Sequence, residues 1–456
     1  MKINMPYGAK YIINKLEGAG FEGYIVGGCV RDAVLGLTPN DWDITTNARP
    51  EQVKALFKKT IDTGIQHGTV TVLTDRNRDP ENYAFEVTTY RVDGEYEDHR
   101  RPKEVTFSAS LTEDLKRRDF TINAMAYSDT RGLVDIFEGR ADLQNRVIRA
   151  VGDPDERFDE DALRILRAVR FGAKLDFTIE EQTAAAVKRH AADLKQISAE
   201  RIREELTKLL VSDHPERIRE AYTLGLTAVF LPEFDRCMET EQNNPYHCYT
   251  VGEHIIKVMT EIAPTVQLRY AALLHDIEKP SVKTTDSKGI DHFVGHPAKS
   301  ADTAQAVMRR LKFDNKSIAK VKLLAKYHDF GIGFSDLPTE KQMRHFLAKL
   351  GPENTEDFFA LKHADMAGQS DYRLAERKEF LAEMERLTEL ILSRGDCLYI
   401  KDLALNGNDL MTLGVPVGKQ LGETLDALLN KVLDRPEINT REGLTKLISE
   451  MGILRA

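Results

Sequence analysis

The pattern of hydrophobic and polar positions divides the chain into a β-rich beginning and a helical remainder. Residues 8–19 carry apolar side chains at helical spacing and end in glycine, so they predict a short amphipathic helix. Runs rich in Val, Thr, Tyr and Phe at 69–75 and 83–91 predict β-strands. From residue 153 onward, apolar positions recur at helical spacing. This order predicts an α+β fold in which a small sheet domain precedes helical domains.

A glycine pair follows the first short apolar run of this sheet. Residues 24–26 predict a buried strand, and Gly27-Gly28 then leads into a helix whose first turn holds Arg31. Glycines before a helix leave backbone N–H groups accessible to phosphate, and arginine adds a bidentate donor. Alone, such a pair is usually only a turn.

A pair of aspartates lies a few residues further along. If Asp41 and Asp43 belong to a strand, both carboxylates face one side and repel each other unless a cation lies between them. Mg²⁺ prefers oxygen ligands and fills its shell with water and substrate phosphates. Alone, such a pair is usually an exposed loop, but a glycine turn and two carboxylates in one βα unit favour phosphoryl or nucleotidyl transfer. Glu86, in the strand predicted at 83–91, is either an edge-strand carboxylate facing solvent or a third carboxylate of this site.

The sequence RRDFTINAM at 117–125 places polar residues among residues typical of a core. Arg118 can neutralise a triphosphate, while Asp119 and Asn123 can hydrogen-bond a ribose hydroxyl. The alternative is a surface ion pair at the start of a helix.

The sequence EDALRILRAVRF at 160–171 predicts one continuous helix with Asp161, Arg164 and Arg167 along one face. These side chains form either an ordinary ion-pair face or a set that reads a base. The second interpretation is chemically reasonable because a carboxylate and a guanidinium supply an acceptor and donors to a Watson–Crick edge.

These motifs, in this order, resemble the class II tRNA nucleotidyltransferase and poly(A) polymerase family of the polymerase β superfamily. The resemblance implies a mixed β-sheet nucleotidyltransferase head, followed by an all-helical neck, an HD-type body and a tail. It implies that the catalytic carboxylates are Asp41, Asp43 and Glu86, with Mg²⁺ bound by the two aspartates. It further implies a nucleotide-binding set formed by Gly27, Gly28, Arg31, Arg118, Asp119, Asn123, Asp161, Arg164, Arg167 and Arg170.

The expected mechanism requires no general-base side chain. One metal ion lowers the pKa of the RNA 3′-hydroxyl, and the other neutralises the leaving pyrophosphate. Residues 91–104 are dense in charges of both signs and predict a mobile, solvated loop. In the resembling family, a loop here is associated with the switch from C to A addition, which favours an enzyme able to add the terminal adenosine.

A second group of histidines and aspartates lies between residues 244 and 370. Imidazoles and carboxylates together can bind one or two transition-metal ions. The order resembles the HD superfamily of metal-dependent phosphohydrolases, although Glu278 stands where that pattern has glycine. The alternative is a hydrogen-bonded core in a domain that only shapes an RNA-binding surface. The group consists of His254, His275, Asp276, His296, His328 and Asp365.

At 456 residues, the chain is too long for a single core. The predicted division is a nucleotidyltransferase head at 1–140, a helical neck for nucleotide selection and RNA binding at 141–243, an HD-type domain at 244–370 and a helical, tRNA-binding tail at 371–456. The four cysteines lack CxxC spacing, which argues against a disulfide framework. We find neither a signal segment nor an apolar run long enough for a membrane, so we expect a cytoplasmic protein.

The predicted function is template-independent addition of C, C and then A to the 3′ end of tRNA from CTP and ATP. The expected partners are the acceptor end and elbow of tRNA, and the sequence identifies no protein partner. The net charge of −9 neither favours nor excludes nucleic acid, because phosphate binding depends on a local patch. Two alternatives remain open: an A-adding enzyme or poly(A) polymerase with the same site, and an HD phosphohydrolase acting on phosphate esters or cyclic phosphates.

Overall fold

The predicted N-terminal sheet is present in a computed structural model of the protein, which describes residues 2–65, 68–93, 105–331 and 336–452. The chain divides into two units, Met1–Asp235 and Arg236–Ala456. The strands of the first unit, in chain order, are β1 (Gly23–Val26), β2 (Ile44–Thr46), β3 (Thr60–Gly64), β4 (Thr69–Leu73), β5 (Ala84–Thr89), β6 (Arg91–Asp93), β7 (Val105–Phe107), β8 (Ala126–Ser128), β9 (Gly132–Val134), β10 (Val147–Ile148) and β11 (Thr178–Ile179).

Seven of these strands form the main sheet of the described residues, in the order β3-β4-β5-β2-β1-β8-β9. The sheet is mixed because β2 and β5 run parallel while its other neighbours are antiparallel. Ile25 of β1 pairs with Ile44 of β2, which in turn pairs with Val87 of β5. All three side chains are buried in the core of this unit.

Helices cover this sheet and continue after it. Those of the first unit are α1 (Tyr7–Gly18), α2 (Gly28–Val34), α3 (Pro50–Leu56), α4 (Leu111–Lys116), α5 (Gly139–Asn145), α6 (Pro154–Glu160), α7 (Leu163–Leu175), α8 (Glu181–Arg189), α9 (Ala199–Leu210), α10 (Ile218–Thr223) and α11 (Thr227–Phe230). Helices α1 and α3 pack against the sheet. Pro50 is the first residue of α3, where its missing N–H costs nothing.

The second unit is almost entirely helical. After α12 (Pro232–Met238), which contains the boundary, it comprises α13 (Val251–Glu261), α14 (Val266–Leu274), α15 (Lys279–Val282), β12 (Thr284–Thr285), β13 (Asp291–His292), α16 (His296–Arg310), α17 (Asn315–Tyr327), α18 (Glu340–Leu350), α19 (Thr355–Ala367), α20 (Leu374–Arg394), α21 (Gly407–Thr412), α22 (Lys419–Asp434) and α23 (Arg441–Glu450). The last three helices share a core that includes Leu410, Leu428 and Leu444.

The structure corrects several local predictions. The strand expected at Asp41 begins only at Ile44, and the polar strand β3 was not predicted. The segment predicted as a loop at 91–104 begins with strand β6, which pairs with β7; residues 94–104 lie outside the described residues. Two short strand pairs, β10–β11 and β12–β13, interrupt the part predicted to be all-helical.

The helix predicted across 160–171 is two helices. Asp161 has an extended backbone (φ −146°, ψ 100°) and ends α6, and α7 begins two residues later. Asp161 therefore does not lie on a helix face with Arg164, as the spacing predicted. In the described ranges, we find no helix long and apolar enough to cross a membrane.

Candidate active site

The turn between β1 and α2 requires glycine at position 27. Gly27 has φ +79° and ψ −128°, a conformation that L side chains rarely adopt. A Cβ here would lie 2.7 Å from Nη1 of Arg118. The N–H of Gly27 donates to the carbonyl of Met125 at 3.0 Å, so this N–H is engaged within the protein. The turn thus places the backbone of Gly27 against the guanidinium of Arg118, which is distant in sequence.

The three predicted catalytic carboxylates gather beside this turn. The carbonyl of Asp43 accepts a hydrogen bond from Val26 of β1 at 3.0 Å. Because β2 and β5 are parallel and Ile44 pairs with Val87, Glu86 lies opposite Asp43. Strand β5 lies between β4 and β2, so Glu86 is not on an edge strand, although its side chain is exposed.

The electrostatics of Asp43 suit a cation site. Its pKa is raised, first because surrounding protein displaces water and further because Glu86 and Asp41 are negatively charged; Arg118 opposes the rise. Carboxylates that repel one another fit a divalent cation with oxygen ligands. The residues present therefore fit Mg²⁺ on the chemistry of their donors.

Arg118 has unused hydrogen-bonding capacity. Its Nη2 lies 3.6 Å from Oδ2 of Asp114, whereas its Nε is buried and has no hydrogen-bond partner among the described residues. Asp114 is fully buried and also binds Arg117 at 2.7 Å and Thr45 at 3.1 Å. Burial alone would raise the pKa of Asp114, but Arg117 and Arg118 outweigh it and lower that pKa. Asp114, which we did not predict from the sequence, anchors both arginines.

A chain of hydrogen bonds joins the first motif to the second. Arg31 donates to Asp32 at 2.7 Å and to the side-chain oxygen of Asn123 at 2.7 Å. The amide nitrogen of Asn123 donates to Oδ1 of Asp119 at 3.1 Å. Arg167 of α7 then donates twice to Oδ2 of Asp119, at 2.9 and 2.6 Å. Residues from three separate segments are therefore fixed in one network.

Charge keeps the centre of this network ionised. Burial alone would raise the pKa of Asp119, but Arg167 and Asn123 outweigh it and hold that pKa well below its usual range. An ionised carboxylate accepts hydrogen bonds only, which suits contact with hydroxyl groups. Asp119 and Asn123 are thus brought together as the sequence predicted.

An aromatic ring and a buried glutamate organise the arginines of α7. The Phe171 ring lies under Arg170 at 3.5 Å from centroid to guanidinium carbon, and Arg31 and Arg167 lie within 5.2 and 5.3 Å. Glu205 of α9 is buried and binds Arg170 at 2.8 Å, with Arg167 at 3.7 Å. Cation–π contacts contribute roughly 0.5–1 kcal/mol each. Glu205 was not predicted, because no local pattern relates it to α7.

The predicted base-reading pair lies at the junction of α6 and α7. Asp161 accepts two hydrogen bonds from Arg201 and one from the N–H of Leu163. Arg164 donates to Glu160 at 2.5 Å, to the carbonyl of Arg157 at 3.1 Å and to that of Arg117 at 2.8 Å. Among the described residues, Asp161 and Arg164 are joined by a backbone hydrogen bond of 2.9 Å, from the N–H of Arg164 to the carbonyl of Asp161. They are neighbours, but their side chains do not form an ion pair.

The histidines and aspartates predicted in the second unit form one buried cluster. Each of the four imidazoles donates Nδ1–H to a backbone carbonyl at 2.7–3.0 Å, which leaves each Nε2 directed inward. The Nε2 atoms of His254 and His275 are 3.3 Å apart, and those of His296 and His328 are 3.2 Å apart. Two unprotonated Nε2 atoms repel each other at such distances unless a proton or a cation lies between them.

Asp276 faces both histidine pairs. Its Oδ1 lies 3.0 Å from His296 and 3.3 Å from His328, and its Oδ2 lies 3.4 Å from His254 and 3.3 Å from His275. This Oδ1 is buried, and no described residue donates a hydrogen bond to it. The donor set therefore fits metal binding on either side of Asp276.

Further carboxylates and one ammonium complete the cluster. Asp365 contacts His254 at 3.0 Å, as expected from the sequence. Asp329 contacts His296 at 3.2 Å and His328 at 3.3 Å, and Lys279 contacts Asp276 at 2.6 Å. Asp329 and Lys279 were not predicted. The signals that would have found them are the second His-Asp pair at 328–329 and a lysine three residues after Asp276.

Three family models match successive parts of the chain. They are a poly(A) polymerase head domain at 23–149, a probable RNA and SrmB-binding site of polymerase A at 176–238 and a putative tRNA nucleotidyltransferase domain 2 at 293–448. The CCA-adding enzyme of Levilactobacillus brevis is 36% identical to this chain, and the alignment covers 97% of each. The chain belongs to the CCA-adding enzyme family. The CCA-adding enzyme of Streptococcus thermophilus is 35% identical over 96% of each chain.

Solved structures of CCA-adding enzymes share this architecture. The Bacillus stearothermophilus enzyme in complex with CTP is 29% identical, with a TM-score of 0.72 over 98% of both chains. The Thermotoga maritima enzyme complexed with tRNA-CCA is 22% identical, with a TM-score of 0.58 over 97% of this chain and 94% of that one, and bears on the fold alone. The predicted family and the α+β architecture are confirmed.

Proposed function

We propose that this protein adds C, C and A to the 3′ end of tRNA, using CTP and ATP and releasing pyrophosphate. The observation that carries the proposal is the single hydrogen-bonded network from Arg31 through Asn123 and Asp119 to Arg167, built beside three gathered carboxylates. It occurs in a chain that is similar over nearly its whole length to CCA-adding enzymes.

The triphosphate is assigned to the turn at Gly27 and Gly28. Arg118, whose buried Nε has no partner among the described residues, donates to a phosphate oxygen. Arg31 is buried and already bound to Asp32 and Asn123, so its part in nucleotide binding is to hold Asn123 in place. Close approach of phosphate to this backbone requires that position 27 carry no side chain.

Asp41, Asp43 and Glu86 are the proposed ligands for Mg²⁺, which when bound would activate the RNA 3′-hydroxyl and neutralise the leaving pyrophosphate. The carboxylates supply oxygen ligands of the type that Mg²⁺ prefers. Arg118, next to Asp43, limits the charge repulsion when the cation is absent.

The sugar and the base are assigned to the second and third motifs. Asp119, kept ionised by Arg167, accepts a hydrogen bond from a ribose hydroxyl, and Asn123 is the second ribose contact. Asp161 and Arg164 read the base edge, and Arg167 and Arg170 hold the pocket through Asp119 and Glu205. No nucleic-acid template is needed, because side chains present the acceptor and the donors.

We infer the same four-part division that the sequence predicts, with the head at 1–140, the neck at 141–243, the HD-type domain at 244–370 and the tail at 371–456. The acceptor end of tRNA is assigned to the neck and its elbow to the tail. A cytoplasmic location fits a tRNA substrate.

Loss of one carboxylate tests the assignment. Asp41→Asn should abolish incorporation of labelled C and A into tRNA lacking CCA. The matched control is Asp75→Asn, which alters an exposed aspartate in the turn after β4. If both variants fold and incorporate C and A equally well, Asp41 is not part of the active site.

The His-Asp cluster supports a second candidate function, a metal-dependent phosphohydrolase acting on phosphate esters or cyclic phosphates. The specific observation is that four Nε2 atoms converge on Asp276 while every Nδ1 is held by a carbonyl. Metal analysis of the purified protein and hydrolysis of bis(p-nitrophenyl) phosphate test it. His296→Ala should lower both, whereas His363→Ala, which changes an exposed histidine on α19, should lower neither.

A further inference from the structure

Helix α9 holds the residue assigned to base reading. Arg201 of α9 donates two parallel hydrogen bonds to Asp161, with Nη1 at 3.2 Å from Oδ1 and Nη2 at 2.7 Å from Oδ2. The side chains of Arg201 and Asp161 are 23% and 20% exposed, so solvent reaches the pair. Two parallel bonds fix the orientation of a carboxylate as well as its charge.

The acceptor capacity of Asp161 is almost filled by protein donors. Its Oδ1 also accepts the N–H of Leu163, the first residue of α7, at 3.1 Å. An ionised carboxylate offers about four lone-pair sites, and these three donors leave room for one more. On the base edge, cytosine and adenine each present an exocyclic amino donor. Thymine, uracil and guanine present a carbonyl oxygen at the corresponding position. A fixed acceptor therefore attracts the first two bases and repels the others.

We propose that Arg201 is a positioning residue that makes the site accept CTP and ATP and reject UTP and GTP. It holds Asp161 with its one remaining acceptor directed at the amino group of the base. This inference rests on the proposed function, because it takes Asp161 as a base-reading residue.

The placement of Arg201 distinguishes it from an ordinary surface ion pair. Glu205 lies one turn further along α9 and therefore on the same face as Arg201. Glu205 binds Arg170 of α7 at 2.8 Å. One helix face thus holds both Asp161, two residues before α7, and Arg170 within α7. A change in Arg201 is therefore transmitted to the orientation of Asp161.

The chain offers a matched control. Arg189 of α8 donates two hydrogen bonds to Asp155 of α6, at 3.1 and 2.6 Å, in the same bidentate geometry. These side chains are 56% and 41% exposed and belong to none of the assigned contacts. Arg189→Met removes an equivalent ion pair without touching Asp161.

The experiment measures kcat and KM for CTP, ATP, UTP and GTP on full-length Arg201→Met, Arg201→Lys and Arg189→Met, with tRNA lacking CCA and tRNA ending in CC. Arg201→Met should raise the KM for CTP and lower the preference for CTP over UTP by roughly tenfold, since a charged hydrogen bond contributes on that scale. Arg201→Lys should give an intermediate preference, because an ammonium cannot donate two parallel bonds. Arg189→Met should keep the wild-type preference.

An equal fall in kcat for all four nucleotides, with unchanged ratios, would mean a merely structural role and overturn the inference. If Arg201→Met does not fold, Arg201→Lys decides, and an unchanged preference in that variant overturns it. Failure of the wild-type protein to add C and A would instead contradict the proposed function.

Discussion

Gly27 combines a left-handed backbone conformation with close contact to the guanidinium of Arg118. Alanine there would combine an unfavourable φ of +79° with a Cβ placed 2.7 Å from Arg118. We expect Gly27→Ala to lower the free energy of unfolding by about 1–3 kcal/mol. Displacement of Arg118 should also lower nucleotide incorporation. Urea unfolding and a steady-state incorporation assay measure the two effects.

Gly20→Ala separates the two causes. Gly20 has a similar φ of +83°, but nothing lies within 4 Å of a Cβ built there. The control should lose stability through backbone strain alone and keep its activity. An equal loss of activity in both variants would show that the contact with Arg118 does not matter.

Asp43 illustrates a conflict between stability and function at one residue. Its raised pKa means that the folded protein binds this proton more tightly than the unfolded chain, so the ionised carboxylate destabilises the fold at pH values above that pKa. Asp43→Asn should therefore raise Tm slightly at pH 7 without divalent ions; the effect is small because solvent screens this exposed side chain. It should also lower incorporation by roughly 100- to 1000-fold, the range typical when one preorganised electrostatic group is lost.

Mg²⁺ provides the discriminating readout for Asp43. Addition of Mg²⁺ should raise the Tm of the wild-type protein more than that of Asp43→Asn, because the ion binds the folded carboxylates. Wild-type activity should fall at low pH, because protons compete with Mg²⁺ for the Asp43 carboxylate. An identical Mg²⁺-induced shift in both proteins would contradict the assignment of Asp43.

At the scale of elements, the buried Glu205 of α9 binds Arg170 of α7 and so holds the two helices together. Glu205 is 3% exposed, and its neutralisation leaves Arg170 without its partner. We expect Glu205→Gln to lower the free energy of unfolding at pH 7 by about 2–4 kcal/mol, near the cost of breaking a buried ion pair. The adjacent Glu204 is exposed, so Glu204→Gln should change the free energy of unfolding by less than about 0.5 kcal/mol. Similar values for the two variants, measured by urea unfolding, would mean that Glu205 does not hold α7.

The elements were predictable where their signal is local. Strands β1, β4 and β5 and the helices of the tail follow from apolar periodicity within a few residues. Strand β3 was missed because its Ile61 is exposed and its neighbours are polar. The break at Asp161 was missed because the apolar periodicity continues across it. The contacts made by its side chain there, with the N–H of Leu163 and with Arg201, are visible only in the structure.

The candidate site was predictable as a set of residues but not as a geometry. The family motifs predicted Asp119 and Arg167 as site residues, and these two side chains contact each other. Asp114 and Glu205 carry no motif signal, because their role arises only when β2, α4, α7 and α9 come together. Arg118 beside Gly27 is likewise a long-range contact that spacing cannot reveal.

At the scale of the whole molecule, two clusters of chemistry lie in different units of one chain. We expect them to be separable. Asp41→Ala should abolish nucleotide incorporation and leave the metal content of the His-Asp cluster unchanged, whereas His328→Ala should lower that metal content and leave Mg²⁺-dependent incorporation intact. Elemental analysis and incorporation assays on the same preparations check both. Loss of both properties in either variant would contradict independent centres.

The most direct test of CCA addition uses labelled CTP and ATP, with Mg²⁺, on three RNAs: tRNA that ends before CCA, tRNA that ends in CC, and an unrelated RNA. We predict growth of the first by C, C and A, growth of the second by A, and termination there, with no extension of the third. Adenosine added only to the CC-ending tRNA would indicate an A-adding enzyme, and long tails on any RNA would indicate a poly(A) polymerase. Either result, or no incorporation at all, would contradict CCA addition by this protein.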